Sequence, residues 1–315
     1  MLKADAPGNA NDVRHQQWVA HRRAVERSRY WISPAGRRTR WRKAFLVRLL
    51  DLFGFILRLT PLDARGRRNA LAVRCVELEL AVSGLPPAFD GYRILHLSDT
   101  HLDVFPEIAE AAHRLLDGVE VDLLAVTGDV HGRPKAPIEQ SAELLTQALR
   151  GVRVHGPRLA VLGNHDAIEM AHALERAGFQ VLINRSIAIE RDGERLTVTG
   201  LDDVHNFYSD AAHAALCEPG EPFRLALVHS AEIADFAAEA GYALYLAGHT
   251  HGGQICLPGG RPLITQLTRC RHGAVGLWRQ GTMIGYTSCG LGVSPPAVRF
   301  NCRGEVTVIT LRVGH

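Results

Sequence analysis

The chain lacks the features that would place it in several large classes. Its six cysteines (Cys75, Cys217, Cys256, Cys270, Cys289, Cys302) show no Cys-x-x-Cys spacing and are too thinly spread over 315 residues for a disulfide scaffold. Met1 opens a polar stretch with no early apolar run, so the expectation is a chain without a secretory leader, with reduced thiols, in the cytoplasm. There is no Walker-type phosphate loop, no dinucleotide glycine fingerprint and no nucleophile elbow, which removes the commonest nucleotide-binding and serine-hydrolase readings. No internal repeat is apparent, so a solenoid is not expected. What is present is a chain with 46% hydrophobic residues, enough for one large domain or two smaller ones.

Charge is unevenly placed. Residues 1–70 carry 16 Lys/Arg against 5 Asp/Glu, a net of +11, which leaves −8 for the rest of a chain whose total is +3. A basic arm on an acidic body suggests an anionic partner. Within the arm, residues 13–30 have helical character. Residues 44–59 form an apolar run in which Arg48, Asp51 and Arg58 share one narrow helical face. Sixteen residues with three charges are too short and too charged for a comfortable membrane span. Preceded by Arg37, Arg38, Arg40, Arg42 and Lys43, the segment fits an amphipathic anchor on anionic lipid. The alternative is a helix packed on the domain's own core. The aromatics and the apolar helix favour lipid over nucleic acid as the arm's partner.

From residue 71 onward, strand-like and helix-like segments alternate, which predicts an α/β domain over 71–315. The polar residues fall in a regular way. Five predicted strands end in metal-ligand types: Asp99 and His101, Asp129, Asn164, His229, and His249 with His251. Ligands of α/β sheets bind at the carboxyl ends of strands. The last of these stretches, Gly248-His249-Thr250-His251-Gly252-Gly253-Gln254, places two histidines two apart. If it were extended, both rings would point the same way.

The set is two Asp, one Asn and four His, a mixed nitrogen and oxygen inventory. It suits Mn, Fe, Zn or Ni rather than Ca or Mg, which prefer oxygen alone. Seven ligands exceed what one tetrahedral ion needs but suit two divalent ions sharing a carboxylate. Such a pair clamps phosphoryl oxygens, acidifies a shared water and neutralises developing charge.

These residues carry a resemblance. Asp99-x-His101, Gly128-Asp129, Gly163-Asn164-His165-Asp166, His229 and Gly248-His249-Thr250-His251 resemble the five motifs of the calcineurin-like metallophosphoesterase superfamily. The likeness covers roughly residues 72–313. It extends to the YkuE/YaeI-like phosphoesterases through Cys256-Leu-Pro258, the Gly200-Leu-Asp-Asp203 turn, Gly290-Leu-Gly292, Arg299-Phe and the last strand. It implies two facing mixed β-sheets flanked by helices, with the site at the loop edge. It also implies a first metal on Asp99, His101 and His251, a second on Asn164, His229 and His249, and Asp129 bridging them with a hydroxide. His165 would be the general acid, and Asp166 would orient the loop or ring. Manganese is the favoured ion. Members of the subfamily are commonly membrane-associated at the N-terminus, which places this chain on the inner face of the cell membrane as a peripheral protein.

Two departures stand out. Many members carry an acidic residue three positions after the equivalent of Asp129, where this chain has Gly132. The related UDP-2,3-diacylglucosamine pyrophosphatases usually have Arg where His165 stands, which lowers the prospect of that substrate without removing it. A non-catalytic scaffold of the same fold is the other alternative, and the full ligand set argues against it. Among the remaining histidines, His96 reads as a satisfied core residue, His131 as a loop residue and His205 as a possible lining of the cleft. Cys256, Trp278 and Phe300 read as packing residues. The expected activity is hydrolysis of a phosphodiester or pyrophosphate, with a lipid-linked substrate suggested by the arm.

Overall fold

The computed structural model describes residues 10–314. Residues 1–9, with the polar opening of the chain, lie outside the described residues, as do the side chains of Arg42 and Lys43 in the basic flank. The arm begins with helix α1 (Ala10–Arg27), a hairpin of β1 (Tyr30–Ser33) and β2 (Gly36–Thr39), then α2 (Trp41–Arg58) and α3 (Pro61–Leu71). There follow β3 (Arg74–Ser83), β4 (Arg93–Leu97), α4 (Glu107–Leu116), β5 (Glu120–Val121), β6 (Leu123–Thr127), α5 (Ile138–Ala148), β7 (Arg153–Val154), β8 (Arg158–Val161), α6 (Ile168–Arg176) and β9 (Gln180–Val181). The second half holds β10 (Arg185–Arg191), β11 (Glu194–Gly200), α7 (Asp210–Cys217), β12 (Arg224–Leu227), α8 (Ala234–Glu239), β13 (Leu244–Ala247), β14 (Gly276–Gln280), β15 (Met283–Thr287) and β16 (Glu305–Gly314).

Two six-stranded mixed sheets face each other, one ordered β3-β16-β4-β6-β8-β9 and the other β10-β11-β12-β13-β15-β14. The expected pair of mixed sheets flanked by helices is borne out. The reason lies in the strands. β6, β12 and β13 are buried along their whole length, as strands covered on both faces must be. Ile94, Leu123, Leu159, Leu225, Leu244 and Ile309 fill the space between the sheets. The outer face of the first sheet is covered by α4–α6 and that of the second by α7 and α8.

Several elements differ from the sequence expectation. The strand-like segment after α6 is only two residues long, Gln180–Val181. A tight turn over Ala231–Ile233 precedes α8. The β1–β2 hairpin, α7 and β14 were not foreseen. They are short, and α7 carries its signal in one capping residue, Ser209, whose side chain accepts from the Ala212 amide.

The arm divides into two parts. α1 lies against the domain, with Trp18, Val25 and Arg22 buried. α2 touches it along a narrow line, with Leu57 buried and Gly54 so near Pro296 that a Cβ there would stand 3.2 Å from the ring. Most of the described apolar side chains of α2 face outward: Phe45 is 68% exposed, Phe55 58% and Leu59, which ends the helix, 73%. Among the described residues, no helix is long and apolar enough to cross a membrane.

Candidate metal centre

β4, β6 and β8 run parallel in one sheet, and β12 and β13 run parallel in the other. Their carboxyl ends therefore bring Asp99, Asp129 and Asn164 to one edge, and His229 and His249 to the facing edge. The chain leaves these strands through strained turns. Asp99, His101, Asp129, His249 and His251 all have φ between 36° and 74°, the left-handed region that costs an L-residue about 1 kcal/mol or more. Close approach of the loops requires glycine. A Cβ on Gly163 would stand 2.1 Å from Asp129 Oδ1, and one on Gly248 would stand 1.8 Å from Ser98 Oγ.

The structure gathers the expected residues into two adjoining groups. Asp99, His101 and His251 offer ligand atoms within 4.8 Å of one another, and so do Asp129, His229 and His249. One oxygen belongs to both: Asp129 Oδ2 lies 3.2 Å from His229 Nε2 and 3.6 Å from His101 Nε2. Asp99 Oδ1 faces His251 Nε2 at 3.5 Å, while its Oδ2 accepts from the His249 amide at 2.8 Å. Asn164 is carried to the same edge by the next residue, His165, whose amide donates to Asp129 Oδ1 at 2.8 Å.

The extended geometry expected of Gly248–Gln254 does not occur. His249 and His251 are both left-handed, Thr250 is helical, and His251–Gly253 form a tight turn. The two rings therefore serve different groups instead of converging from one side of a strand.

The donor set fits divalent cations. Asp99 Oδ1, His101 Nε2, Asn164 Oδ1 and His229 Nε2 are buried and meet no hydrogen-bond partner, which is costly unless something else coordinates them. The rings are also pre-set. His101 Nδ1 donates to the His131 carbonyl and His229 Nδ1 to the Thr127 carbonyl, each at 2.8 Å, which leaves Nε2 of both rings for a cation. Without a cation the charges pair with one another. Burial opposes a charge on His229, but Asp129 outweighs it and raises the imidazole to about 10. Burial also works against ionised Asp129, yet His229, His165 and His101 together hold it well below its ordinary value. His251 is driven well below its usual value by burial, then by neighbouring His101.

Supporting groups explain the departures seen in the sequence. At Gly132 a Cβ would strike Val104 Cγ2 at 2.4 Å, so a side chain there would have to push Val104 aside. The carboxylate of Asp103 takes over that loop and accepts from the amides of Gly132 and Arg133 at 2.8 and 2.6 Å. Asp166 accepts from the His131 and Gly163 amides at 3.0 and 2.9 Å, so it ties two loops together. His165 is exposed at the mouth of the site, its ring edge-on to that of His101 at 5.2 Å. His131 is buried in the loop, with Nδ1 3.0 Å from Ser141 Oγ. His96 is a core residue on Thr127 Oγ1 at 2.8 Å, its imidazole lowered to about 3 by burial.

Three further residues support the site: His205, expected as a lining of the cleft, and Asp203 and Arg299, which the sequence marked only through the resemblance. His205 lies against the ring of His249, centroids 4.2 Å apart, with Nδ1 3.3 Å from Glu232. Asp203 accepts from the His205 and Asn206 amides, shaping that loop. Arg299, fully buried, donates to the carbonyls of His251, Cys289, Gly290 and Gly292 and fixes the turn below His251. An isolated arginine in a late loop carries no local signal. Cys256 packs against the same turn, donating to the Gly252 carbonyl at 3.1 Å.

Comparison with known proteins agrees with this arrangement. The profile of the calcineurin-like phosphoesterase family matches residues 92–253, from the strand before Asp99 to the turn after His251. The metallophosphoesterase YkuE of Bacillus subtilis (strain 168) is 29% identical over 251 residues, covering 76% of this chain and 86% of that one. YkoQ of the same organism, also a metallophosphoesterase, is 30% identical over 262 residues, covering 80% and 95%. The phosphodiesterase YaeI of Escherichia coli (strain K12) is 28% identical over 235 residues, covering 70% and 82%. With the strand ends that carry these candidate ligands inside the matched region, the chain belongs to the calcineurin-like phosphoesterase family and is a metal-dependent phosphoric ester hydrolase.

Proposed function

We propose that the chain hydrolyses a phosphodiester or pyrophosphate, lipid-linked and presented at an anionic membrane surface, on a centre that holds two divalent cations. The observation that carries the two-cation reading is the shared Asp129 Oδ2, at 3.2 Å from His229 and 3.6 Å from His101. Asp99, His101 and His251 would hold one ion, and Asn164, His229 and His249 the other, with Asp129 common to both. Mixed nitrogen and oxygen ligands suit manganese, iron, zinc or nickel, and manganese is the ion we favour. When bound, the ions supply charge neutralisation for the phosphate and acidify water.

The chain's own residues do the rest. Asn164 brings a neutral oxygen, so the centre keeps more of its positive charge for the substrate. His165, exposed at the mouth and anchored through its amide to Asp129, gives a ring proton to the leaving-group oxygen as its bond to phosphorus breaks. Asp166 acts through the backbone by holding the His165 loop against the His131 loop. Metal-replete protein should release nitrophenolate from bis-p-nitrophenyl phosphate, and failure there and on p-nitrophenyl phosphate would overturn the hydrolytic reading. A panel of phospholipid, nucleotide and UDP-2,3-diacylglucosamine substrates would then rank the physiological classes.

The arm, residues 1–70, would present the catalytic domain, 71–315, to lipid on the inner face of the cell membrane. Support comes from α2, whose Phe45, Leu49, Leu52, Phe55 and Ile56 are exposed. Each such side chain is worth about 1.5–3 kcal/mol if fully buried in an apolar phase. The basic residues of 1–70 supply attraction to anionic headgroups. Full-length protein should co-sediment with anionic vesicles at physiological salt and not with neutral ones.

A further inference from the structure

Helix α1 reaches the loops around the centre through one fully buried side chain. Arg22 is 0% exposed. Its Nη2 donates to the Gly163 carbonyl at 3.0 Å, the peptide that leads into Asn164. Its Nε lies 3.4 Å from Asp202 Oδ2, and its guanidinium carbon lies 4.1 Å above the Phe207 ring. Trp18, one turn earlier, donates from Nε1 to the same Asp202 oxygen at 2.7 Å. β1 continues the contact, with the Ile32 amide donating to the Asn206 carbonyl at 2.9 Å and the Tyr208 amide to the Ile32 carbonyl at 3.0 Å. The arm thus closes on two loops. One carries Asn164 and His165. The other carries His205, which lies against His249.

Stability is a poor explanation for this contact. Arg22 Nε and Nη1 have no hydrogen-bond partner. Burial leaves the Asp202 carboxyl above its ordinary value, even though Arg22 and Trp18 pull it down. A buried ion pair of this kind usually stabilises a fold no more than apolar residues of the same shape would. The hydrogen bond that Arg22 does make is spent on the peptide preceding a ligand.

We propose that Arg22 is a positioning residue of the half-site made by Asn164, His229 and His249. By fixing the Gly163 carbonyl it fixes the Asn164 side chain, so α1 is a working part of the centre as well as the start of the arm. The proposal rests on the two-cation reading.

The test is calorimetric titration of full-length, metal-stripped protein with Mn²⁺, alongside melting temperature and turnover of bis-p-nitrophenyl phosphate. Asn164→Ala identifies the half-site by weakening one of two ions. Arg22→Met combined with Asp202→Asn removes both charges. It should weaken the same ion about tenfold, as loss of a group supporting a ligand does, with the other ion and the melting temperature retained. Arg22→Lys keeps the charge but not the planar fork and should show a smaller loss at the same ion. Turnover should fall in kcat with KM little changed. Folded Arg22→Lys and double variants that bind both ions as the wild type does would overturn the role of Arg22. If the double variant does not fold, unchanged binding by Arg22→Lys suffices to overturn it. A wild type that binds fewer than two ions would overturn the two-cation reading, and the role with it.

Discussion

Helix α2 and the metal centre each invert the usual placement of side chains. α2 exposes large apolar residues, with Phe45 68% exposed, while the centre buries Asp99, Asp129 and His229 almost completely. A buried polar group or an exposed apolar face is the informative exception in a folded chain. The two are built differently. The centre holds its atoms by left-handed backbone at five candidate ligands, by amides donated to Asp99 and Asp129, and by carbonyls that orient His101 and His229. Among its described side chains, α2 is held by little more than Leu57 and the approach of Gly54 to Pro296. The contrast follows from the proposed partners. Cations demand positions to a fraction of an ångström, whereas a fluid apolar phase asks only for a face.

If the two regions are separate devices, each can be broken without the other. The largest effect is expected from Asp129→Ala, which removes the oxygen common to both groups. Cation content should fall, and turnover with it by on the order of 10³ or more, since several kcal/mol of transition-state stabilisation depend on it. Vesicle binding through α2 should be untouched. Elemental analysis and sedimentation of the same preparation check both halves, and a variant that keeps its metals would dissolve the idea of a shared ligand.

His165→Ala sharpens the division within the centre itself. Cation content should be preserved, while hydrolysis of esters with poor leaving groups drops by about 10²–10⁴ and that of p-nitrophenyl esters far less. Equal losses across leaving groups would remove His165 from proton transfer.

On the other side of the comparison, Phe45→Glu with Phe55→Glu should weaken binding to anionic vesicles by on the order of 10²-fold, given what two buried aromatic side chains are worth. Turnover of a soluble ester should not change. A drop in turnover on the soluble substrate would show that the regions are coupled.

The smallest effect concerns protons. In the metal-free centre His229 is raised to about 10, so near neutral pH a cation must displace its proton. Apparent Mn²⁺ affinity should therefore rise with pH, by up to about tenfold per unit from this group. The sign is opposite for the metal-free fold. The raised pKa contributes stability that is full below about pH 6.5 and is lost as pH rises through about 10. Thermal melts of stripped and loaded protein across that range check both directions.

Much of the fold was legible because each element carries its own local signal. β6 and β13 are continuous apolar runs, α4 and α5 are amphipathic, and strand–helix alternation implies a layered α/β architecture. Misses fell where the signal is weak or long-range. The β1–β2 hairpin sits in a segment that reads only as basic and aromatic, and the left-handed turn at His249 and His251 follows a strand whose direction it abandons. Burial of Arg22 ran against composition most directly, since α1 is the more polar of the arm's two long helices and yet is the one that docks.

The sequence by itself determined the types of side chain at the strand ends, because a strand and the candidate ligand that follows it are neighbours along the chain. It also determined that α2 would form and be apolar over most of its surface. Tertiary structure alone decided that one oxygen of Asp129 faces both His101 and His229, that Asp103 serves the loop where a side chain at Gly132 would have to push Val104 aside, and that Arg22 meets a carbonyl 141 residues away. The reason is physical. These contacts join segments brought together only when the two sheets pack, and no local propensity records a partner that far along the chain.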